Sequence, residues 1–450
     1  MRKDIHQFLF YSIICLQLFR VTGSLAQEGK TISLTLAQAQ EMALKQSPTL
    51  RISELQVDLA QNTTEERRQQ RLPQVYGDMN LQRNLILPTT PVRAKAFDPT
   101  ATEDELIHLR FTTKWTANTG INASVDLFNP ERSGSIKRAA LEAGLSASDL
   151  LFTKNQLLFD VGNAFYACLI AEEQLRLAEN DTLTRKEILQ MHQRQFEKGR
   201  ITRSEINLAK TELNNGRILL NETRMIYENA KSELLRLIGM ATDKPVSLQL
   251  IDSELVVVNE ISVLNETETQ SIRLSRLRQE QAINLLDVRI AHRSFLPLIS
   301  LNGYYGANYF DNRFDVFKGA NWYGNSFINL GIRIPLSENL FRSKELAKLK
   351  IQEDILSEQV SAAANERTQN LQEAFRELRY QEFQFLKRKE NLDMAEENAR
   401  ISSLQYEKGR MLVGDYYQQL YLLQKERAAY LESKYKLLIS KLSLEKVKSD

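Results

Sequence analysis

The side chains able to do chemistry are few and scattered. Of 450 residues only four are His and two are Cys, and His6, His108, His192 and His292 have no second ligand at metal spacing. There is no phosphate-cradling Gly loop and no Gly-x-Ser-x-Gly elbow, so no catalytic, cofactor-binding or metal-binding residue is assigned. His192 and His292 read as helix-surface residues. What remains is charge gathered at two points. Phe196-Glu197-Lys198-Gly199-Arg200 recurs 210 residues later as Tyr406-Glu407-Lys408-Gly409-Arg410. Arg203 and Glu205 follow the first copy, and Asp415 follows the second. The plain reading is a pair of solvated turns, with Ser204 and Asp415 favouring the helix N-termini after them. The functional reading is a ring of charge, repeated by oligomer symmetry, that gates or selects in a pore.

Both stretches need long helices to hold them. A Gly-centred break between helical runs reads as a chain reversal, because Gly takes the left-handed cap conformation without steric cost. Residues 137–198 contain only Gly144 and Gly162 as weak points, and 341–408 contain neither Gly nor Pro. At 1.5 Å per residue such helices extend roughly 90 to 100 Å. The return helices, 202–237 and 411–447, are a little over half that length, and helices near 38–70 and 268–295 supply the rest if stacked end to end. The offset of 210 also aligns Ala164-Phe165 with Ala374-Phe375, Glu205 with Asp415 and Leu213 with Leu423. A constant offset argues duplication. Two tandem repeats follow, 27–239 and 267–450, joined by a segment at 240–266 that lacks helical periodicity and holds an apolar run at 255–258.

Between the helices the period changes to two. Val75, Gly77, Met79 and Leu81 alternate with Tyr76, Asp78, Asn80 and Gln82. From Trp115 to Leu127 the odd positions are mostly apolar and the even ones mostly polar, with Gly120 and Phe128 blurring the pattern. The second repeat matches: Ile299, Leu301, Gly303, Tyr305, Ala307 and Tyr309, then Ser326, Ile328, Leu330, Ile332, Ile334 and Leu336. These form β-hairpins at 74–128 and 298–336, four strands per chain, with 86–110 an exposed loop. A hairpin half-buried on a soluble core fits the alternation, and so do transmembrane strands facing lipid on one side and water on the other. Trp115, Tyr305, Tyr309 and Trp322 suit the membrane interfaces. Four strands cannot close a barrel and open edges are not tolerated in lipid, so in a membrane several chains must build one barrel.

The N-terminus reads as an export signal, 1–26, with Arg2-Lys3, an apolar run too short to span a bilayer, and Ser24-Leu25-Ala26 as the cleavage site. Its removal takes the formal charge from +2 to zero, which gives no electrostatic case for nucleic acid. Cys15 leaves with the signal, and Cys168 reads as a buried small hydrophobe.

Taken in order, these residues resemble the TolC-like outer-membrane efflux protein family. The likeness rests on Leu34-Thr35-Leu36 with Ala39, Ala43-Leu44 and Pro48, on the junctions Leu72-Pro73 and Leu296-Pro297-Leu298, on Leu127-Phe128-Asn129-Pro130 before a long helix, and on the paired reversals. It covers essentially all of 31–447. The resemblance implies a mainly α-helical chain contributing to a membrane β-barrel: a homotrimer with a 12-stranded barrel in the outer membrane and a helical tunnel in the periplasm. It implies no enzymatic activity and no cofactor. It implies a passive exit duct of a tripartite efflux or type I secretion system, fed by an inner-membrane transporter through a periplasmic adaptor. Adaptors are expected at Gly199, Arg200, Gly409 and Arg410, and the gate at Ser204, Glu205, Tyr406, Arg410, Asp415 and Gln418. Links of Tyr406 with Glu205 and of Ser204 with Arg410 are implied. The sequence departs from the family pattern with Met411 at the usual Arg and Gln418 at the second Asp, so weaker cation selectivity is expected. The alternative is a non-channel coiled-coil scaffold or surface protein with a soluble β-cap. Drug, metal and protein cargo are not distinguished.

Overall fold

The computed structural model describes residues 31–97, 99–240, 247–250, 271–336 and 338–449. The expected export signal and the apolar run at 255–258 lie outside them. In chain order the elements are β1 (Thr31–Leu34), α1 (Leu36–Gln46), α2 (Pro48–Gln69), β2 (Gln74–Arg83), β3 (Thr90–Arg93), β4 (Leu106–Leu109), β5 (Trp115–Phe128), α3 (Arg132–Glu197) and α4 (Arg203–Leu237). There follow β6 (Ser247–Leu250), α5 (Ile272–Arg293), β7 (Leu298–Asp311), β8 (Trp322–Arg333), α6 (Glu338–Glu407) and α7 (Val413–Ser449). None of the described helices is long and apolar enough to cross a membrane.

The local chemistry explains the boundaries. Thr35 and Gln38 form a reciprocal capping box at α1, satisfying two orphan amides. The long helix α3 starts at Arg132, ahead of the expected residue 137. Asn129 is the reason: its Oδ1 accepts from the Glu131 and Arg132 amides at 3.1 and 3.2 Å, and Pro130 between them has no N–H to satisfy.

The chain forms two compact units. Among the described residues, the helical unit comprises 31–48, 156–240, 247–250 and 374–446. Its core includes Val161, Phe165, Cys168, Leu234 and Ile238, all buried. Burial pushes the Cys168 thiol up to about 12, so it stays protonated and acts as a small apolar side chain. Within this unit β1 pairs in parallel with β6, giving part of the segment at 240–266 a strand partner.

Among the described residues, the sheet unit comprises 49–97, 99–155, 271–336, 338–373 and 447–449. Its four-stranded antiparallel sheet has the order β2-β5-β7-β8. The register aligns the alternation: Met79 opposes Thr119, which opposes Ala307, which opposes Gly324, while on the other face Asn80, Asn118, Asn308 and Tyr323 form a row. One face is apolar and exposed, with Val75 65%, Tyr305 75% and Ile328 82% accessible. At one end of that face Ala117, Tyr309 and Val316 pack with Trp115 and Trp322. A bulge between Asp126 and Phe128 brings Phe128 opposite Ile299, which carries it onto the apolar face. Phe128 therefore continues the apolar stripe that it blurs in sequence.

Two expectations need correction. Residues 86–110 are not simply a loop, since β3 and β4 pair within them as a two-stranded hairpin, where β-branched Thr90, Val92 and Ile107 suit a pleated ladder. The chain thus has four strands in its main sheet and further strands in two small ones.

Candidate functional site

The two reversals have the same hydrogen-bond geometry. Gly199 N–H donates to the Phe196 carbonyl at 2.8 Å and Arg200 N–H to Gln195 at 3.0 Å; Gly409 N–H donates to Tyr406 at 2.9 Å and Arg410 N–H to Gln405 at 2.8 Å. Both are Schellman closures, which satisfy the last carbonyls of a helix. Gly199 and Gly409 sit at φ +68° and +70°, and an added Cβ would meet nothing within 4 Å. It is the left-handed backbone that calls for Gly there. Arg200 and Arg410 stand exposed at the tips.

The helices leaving the tips are capped differently. At α4 the cap is Thr202 rather than Ser204: its Oγ1 accepts the Glu205 N–H at 3.4 Å, and the Glu205 carboxylate accepts the Thr202 N–H at 2.7 Å. These Thr202 contacts hold the Glu205 carboxyl below its usual range. Ser204, inside the box between Thr202 and Glu205, is exposed. At α7 Asp415 lies in the first turn, where the helix N-terminus favours its charge. Asp415 and Gln418 are exposed.

Behind the tips lies a polar seam. His192 on α3 is buried, with its Nε2 hydrogen-bonded to the Tyr406 hydroxyl on α6. Tyr406 stacks on Tyr416 at 4.8 Å and 4° between ring planes, within an apolar cluster of Ile188, Ala209, Tyr416 and Tyr417. This corrects two expectations. His192 is a core residue, not a helix-surface one. Within the chain Tyr406 meets His192 instead of Glu205, whose carboxylate is engaged by Thr202, and among the described residues no hydrogen bond joins Ser204 to Arg410. Burial pushes the Tyr406 phenol up to about 12, with the charge of Glu205 adding to the shift. It therefore remains a neutral donor or acceptor.

Two turns deeper, Arg185 on α3 is buried between carboxylates. Its Nε donates to Asp181 Oδ2 at 2.7 Å, and its Nη1 bridges to the Glu212 carboxylate on α4 and to the Glu212 carbonyl at 3.3 Å. Arg185, Glu212, Gly216, Tyr417 and Gln418 line a hollow of about 500 Å³, and the Tyr417 hydroxyl has no hydrogen-bond partner. Sequence reading missed Arg185 and placed His192 on a helix surface. A signal was present: 185, 188 and 192 follow the three-four spacing of one helix face, the face that Ile188 carries into the core. Offset by 210, these positions hold Ala395, Asn398 and Ser402, so the duplication does not extend to the seam.

Burial holds the His192 imidazole below its ordinary range, with Glu205 opposing the shift. The unfolded chain therefore binds a proton on this ring at higher pH than the folded chain does. Stability contributed by this residue is present above the unfolded value of 6.5 and falls as pH drops through it toward the folded value. Urea unfolding at pH 7.5 and 5.5 should show the loss in the native protein and a smaller one in His192→Gln. Equal slopes in the two proteins would refute it.

The arrangement is that of two Schellman-closed hairpin tips with a buried polar seam behind them. Among the described residues no group of three or more His, Cys, Asp or Glu is placed to hold a metal ion.

Comparison with known proteins supplies an independent reading. The model of the family described as outer membrane efflux protein matches residues 39–240. The alkaline protease secretion protein AprF of Pseudomonas aeruginosa is 30% identical over 113 residues, which is 25% of this chain and 24% of that relative. The match thus spans about a quarter of that protein's length. Among solved structures, the CmeC outer membrane channel of Campylobacter jejuni is similar with a TM-score of 0.71 and 15% identity, covering 92% of this chain and 85% of CmeC. The outer membrane protein VceC of Vibrio cholerae gives 0.68 at 15% identity, covering 92% and 96%. The open-state MtrE outer membrane channel of Neisseria gonorrhoeae gives 0.68 at 16%, covering 92% and 88%.

Proposed function

We propose that this chain is a TolC-like outer membrane efflux protein and the passive exit duct of a tripartite export system, a reading supported by the family match over residues 39–240 and by the fold. The observation that carries the reading is the sheet. A four-stranded sheet with one exposed apolar face, one polar face and two unpaired edges, β2 and β8, is unsuited to water and complete only in lipid with its edges joined. The strands alternate in direction along the order β2-β5-β7-β8. The β8 edge of one copy therefore meets the β2 edge of the next in antiparallel sense. Three copies would close a 12-stranded barrel whose polar face lines a water-filled lumen.

In this reading the helical unit forms the periplasmic tunnel. The exposed tips at Gly199, Arg200, Gly409 and Arg410 present a docking surface to a periplasmic adaptor, and an inner-membrane transporter supplies energy and selects cargo. Drug, metal and protein export can share such a duct. Ser204, Glu205, Tyr406, Arg410, Asp415 and Gln418 would form the gate, opened when the helices at the two reversals untwist. Tyr406 is the member held by a partner on another helix, so release of the His192 contact would accompany opening.

Detergent-purified chain should run as a trimer and conduct ions in planar bilayers, whereas a coiled-coil scaffold would conduct none. Asp415→Asn should then lower cation selectivity. Its reversal potential in a salt gradient would shift toward zero, and an unchanged potential would remove Asp415 from the constriction.

A further inference from the structure

The junction between helices and sheet carries a cationic hollow that the duct reading leaves unused. It measures about 690 Å³ and is lined by Arg71, Asp126, Phe128, Arg132, Arg293 and Leu296 among others. Three arginines converge there from different elements: Arg71 just past the end of α2, Arg293 at the last position of α5, and Arg132 at the first of α3. Only Arg132 is neutralised within the chain. Its Nη2 contacts Asp126 Oδ2 at 2.8 Å and its Nη1 the Asp126 carbonyl at 2.9 Å, which also accounts for the carboxylate in the hollow. Among the described residues the side chains of Arg71 and Arg293 make no hydrogen bond or ion pair, and both are exposed.

The apolar part of the lining continues the lipid-suited face of the sheet. Val125 belongs to that face, and the bulge after Asp126 delivers Phe128 to it, opposite Ile299. Leu72 and Leu127, at 63% and 58% exposure, flank the same junction. An exposed apolar wall ending in unpaired guanidinium groups matches one chemistry in both parts, acyl chains beside a phosphate. Arg suits this role because its stem lies along apolar surface while its planar fork binds phosphate oxygens in pairs.

We infer that Arg71 and Arg293 form a binding site for an anionic diacyl phospholipid of the periplasmic leaflet, headgroup phosphate on the two guanidinium groups and acyl chains along Val125, Leu127, Phe128 and Leu296. The inference rests on the membrane-barrel reading, which sets this junction at the bilayer surface. A competing account is local: basic side chains at helix C-termini offset the macrodipole. That account predicts no preference among lipids.

The test uses full-length trimer purified in detergent and titrated with dioleoyl phosphatidylglycerol or dioleoyl phosphatidylcholine, with bound lipid counted by native mass spectrometry. Phosphatidylglycerol should be retained in preference, and Arg71→Gln/Arg293→Gln should weaken its binding about 30-fold, from two cations removed beside an anionic headgroup. Arg71→Lys/Arg293→Lys, which keeps the charge, should recover much of the preference, while trimer elution and strand circular dichroism establish that each variant is folded. Equal retention of the two lipids, unchanged binding by the Gln variant, or inorganic phosphate binding as tightly as the lipid would each overturn the site while leaving the duct intact. A native chain that forms no trimer would overturn the duct reading and this site with it.

Discussion

Gly306→Ala is expected to be the most damaging single methyl group in the sheet. Gly306 on β7 lies directly opposite Gly120 on β5, and Tyr304, two residues earlier on the same face, lies over the pair. The Tyr304 hydroxyl donates to the Thr119 carbonyl at 3.2 Å, and its ring stacks on Phe327 at 5.6 Å. A Cβ on Gly306 would sit 2.6 Å from that hydroxyl, 2.7 Å from the Gly120 Cα and inside contact of the Thr119 carbonyl oxygen. Two of these neighbours are backbone, so no rotamer change relieves the clash and the strands must separate. Overpacking of this kind costs about 1–3 kcal/mol, and loss of the tyrosine hydrogen bond adds about 1 kcal/mol. Gly303→Ala, on the same strand with nothing within 4 Å of its Cβ, should change stability by less than about 0.5 kcal/mol. Urea unfolding followed by strand circular dichroism separates the two. A Gly306→Ala protein as stable as Gly303→Ala would refute the close approach of β5 and β7.

The second large effect lies in the helical unit. Arg185→Ala removes a guanidinium whose side chain is 6% exposed and leaves Asp181 and Glu212 facing each other across α3 and α4, their side chains 14% and 25% exposed. Breaking a buried pair by deleting one partner costs about 3–5 kcal/mol; the residual hydration of both carboxylates places this case at roughly the lower end, about 3 kcal/mol. Arg185→Lys keeps a charge but not the fork that serves Asp181 and Glu212 together, so it should fall between the native protein and Arg185→Ala. Arg185→Leu combined with Asp181→Asn and Glu212→Gln should recover most of the loss, because the charges are then removed together. If Arg185→Ala alone unfolds at the native urea midpoint, the network contributes nothing. The site also governs helix spacing. Gly216 faces the Arg185 stem, its Cβ position 2.9 Å from the Arg185 Cδ, and Thr182 Oγ1 reaches the Gly216 carbonyl at 3.2 Å.

Both predictions fall on features that a linear reading misses, while much of the fold was open to it. The period-two runs from Val75, Trp115, Ile299 and Ser326 are strands in the structure because a sheet with one apolar and one polar face must alternate along each strand. The reversals at Gly199 and Gly409 are legible because one residue type relieves a left-handed φ. The helices between them are legible from the scarcity of Gly and Pro. Each of these signals is local, decided within a few residues by sterics or solvent, and needs no knowledge of a partner.

The remaining features depend on contacts between distant residues. His192 and Tyr406 stand 214 positions apart, and a single histidine on a helix gives no sign of which hydroxyl will reach it. Arg185, with its Asp181 partner one turn away, reads as an ordinary surface pair until α4 brings Glu212 against it. Thr202 is the cap rather than Ser204 because the box needs Glu or Gln three positions later, and Glu205 stands at that spacing from Thr202 while Ser204 has Asn207 there. The opposition of Gly120 and Gly306 depends on strand register, which is set by the full ladder rather than by either glycine. Phe128 reaches the apolar face through a bulge that its own position does not reveal. The sequence by itself thus determined the long helices and the four strands of the main sheet, where the chain turns back and which face of that sheet avoids water, since these follow from local backbone preference and solvent. Only the tertiary structure decided which side chains meet across helices and strands, because closing those long contacts is a property of the whole packed unit.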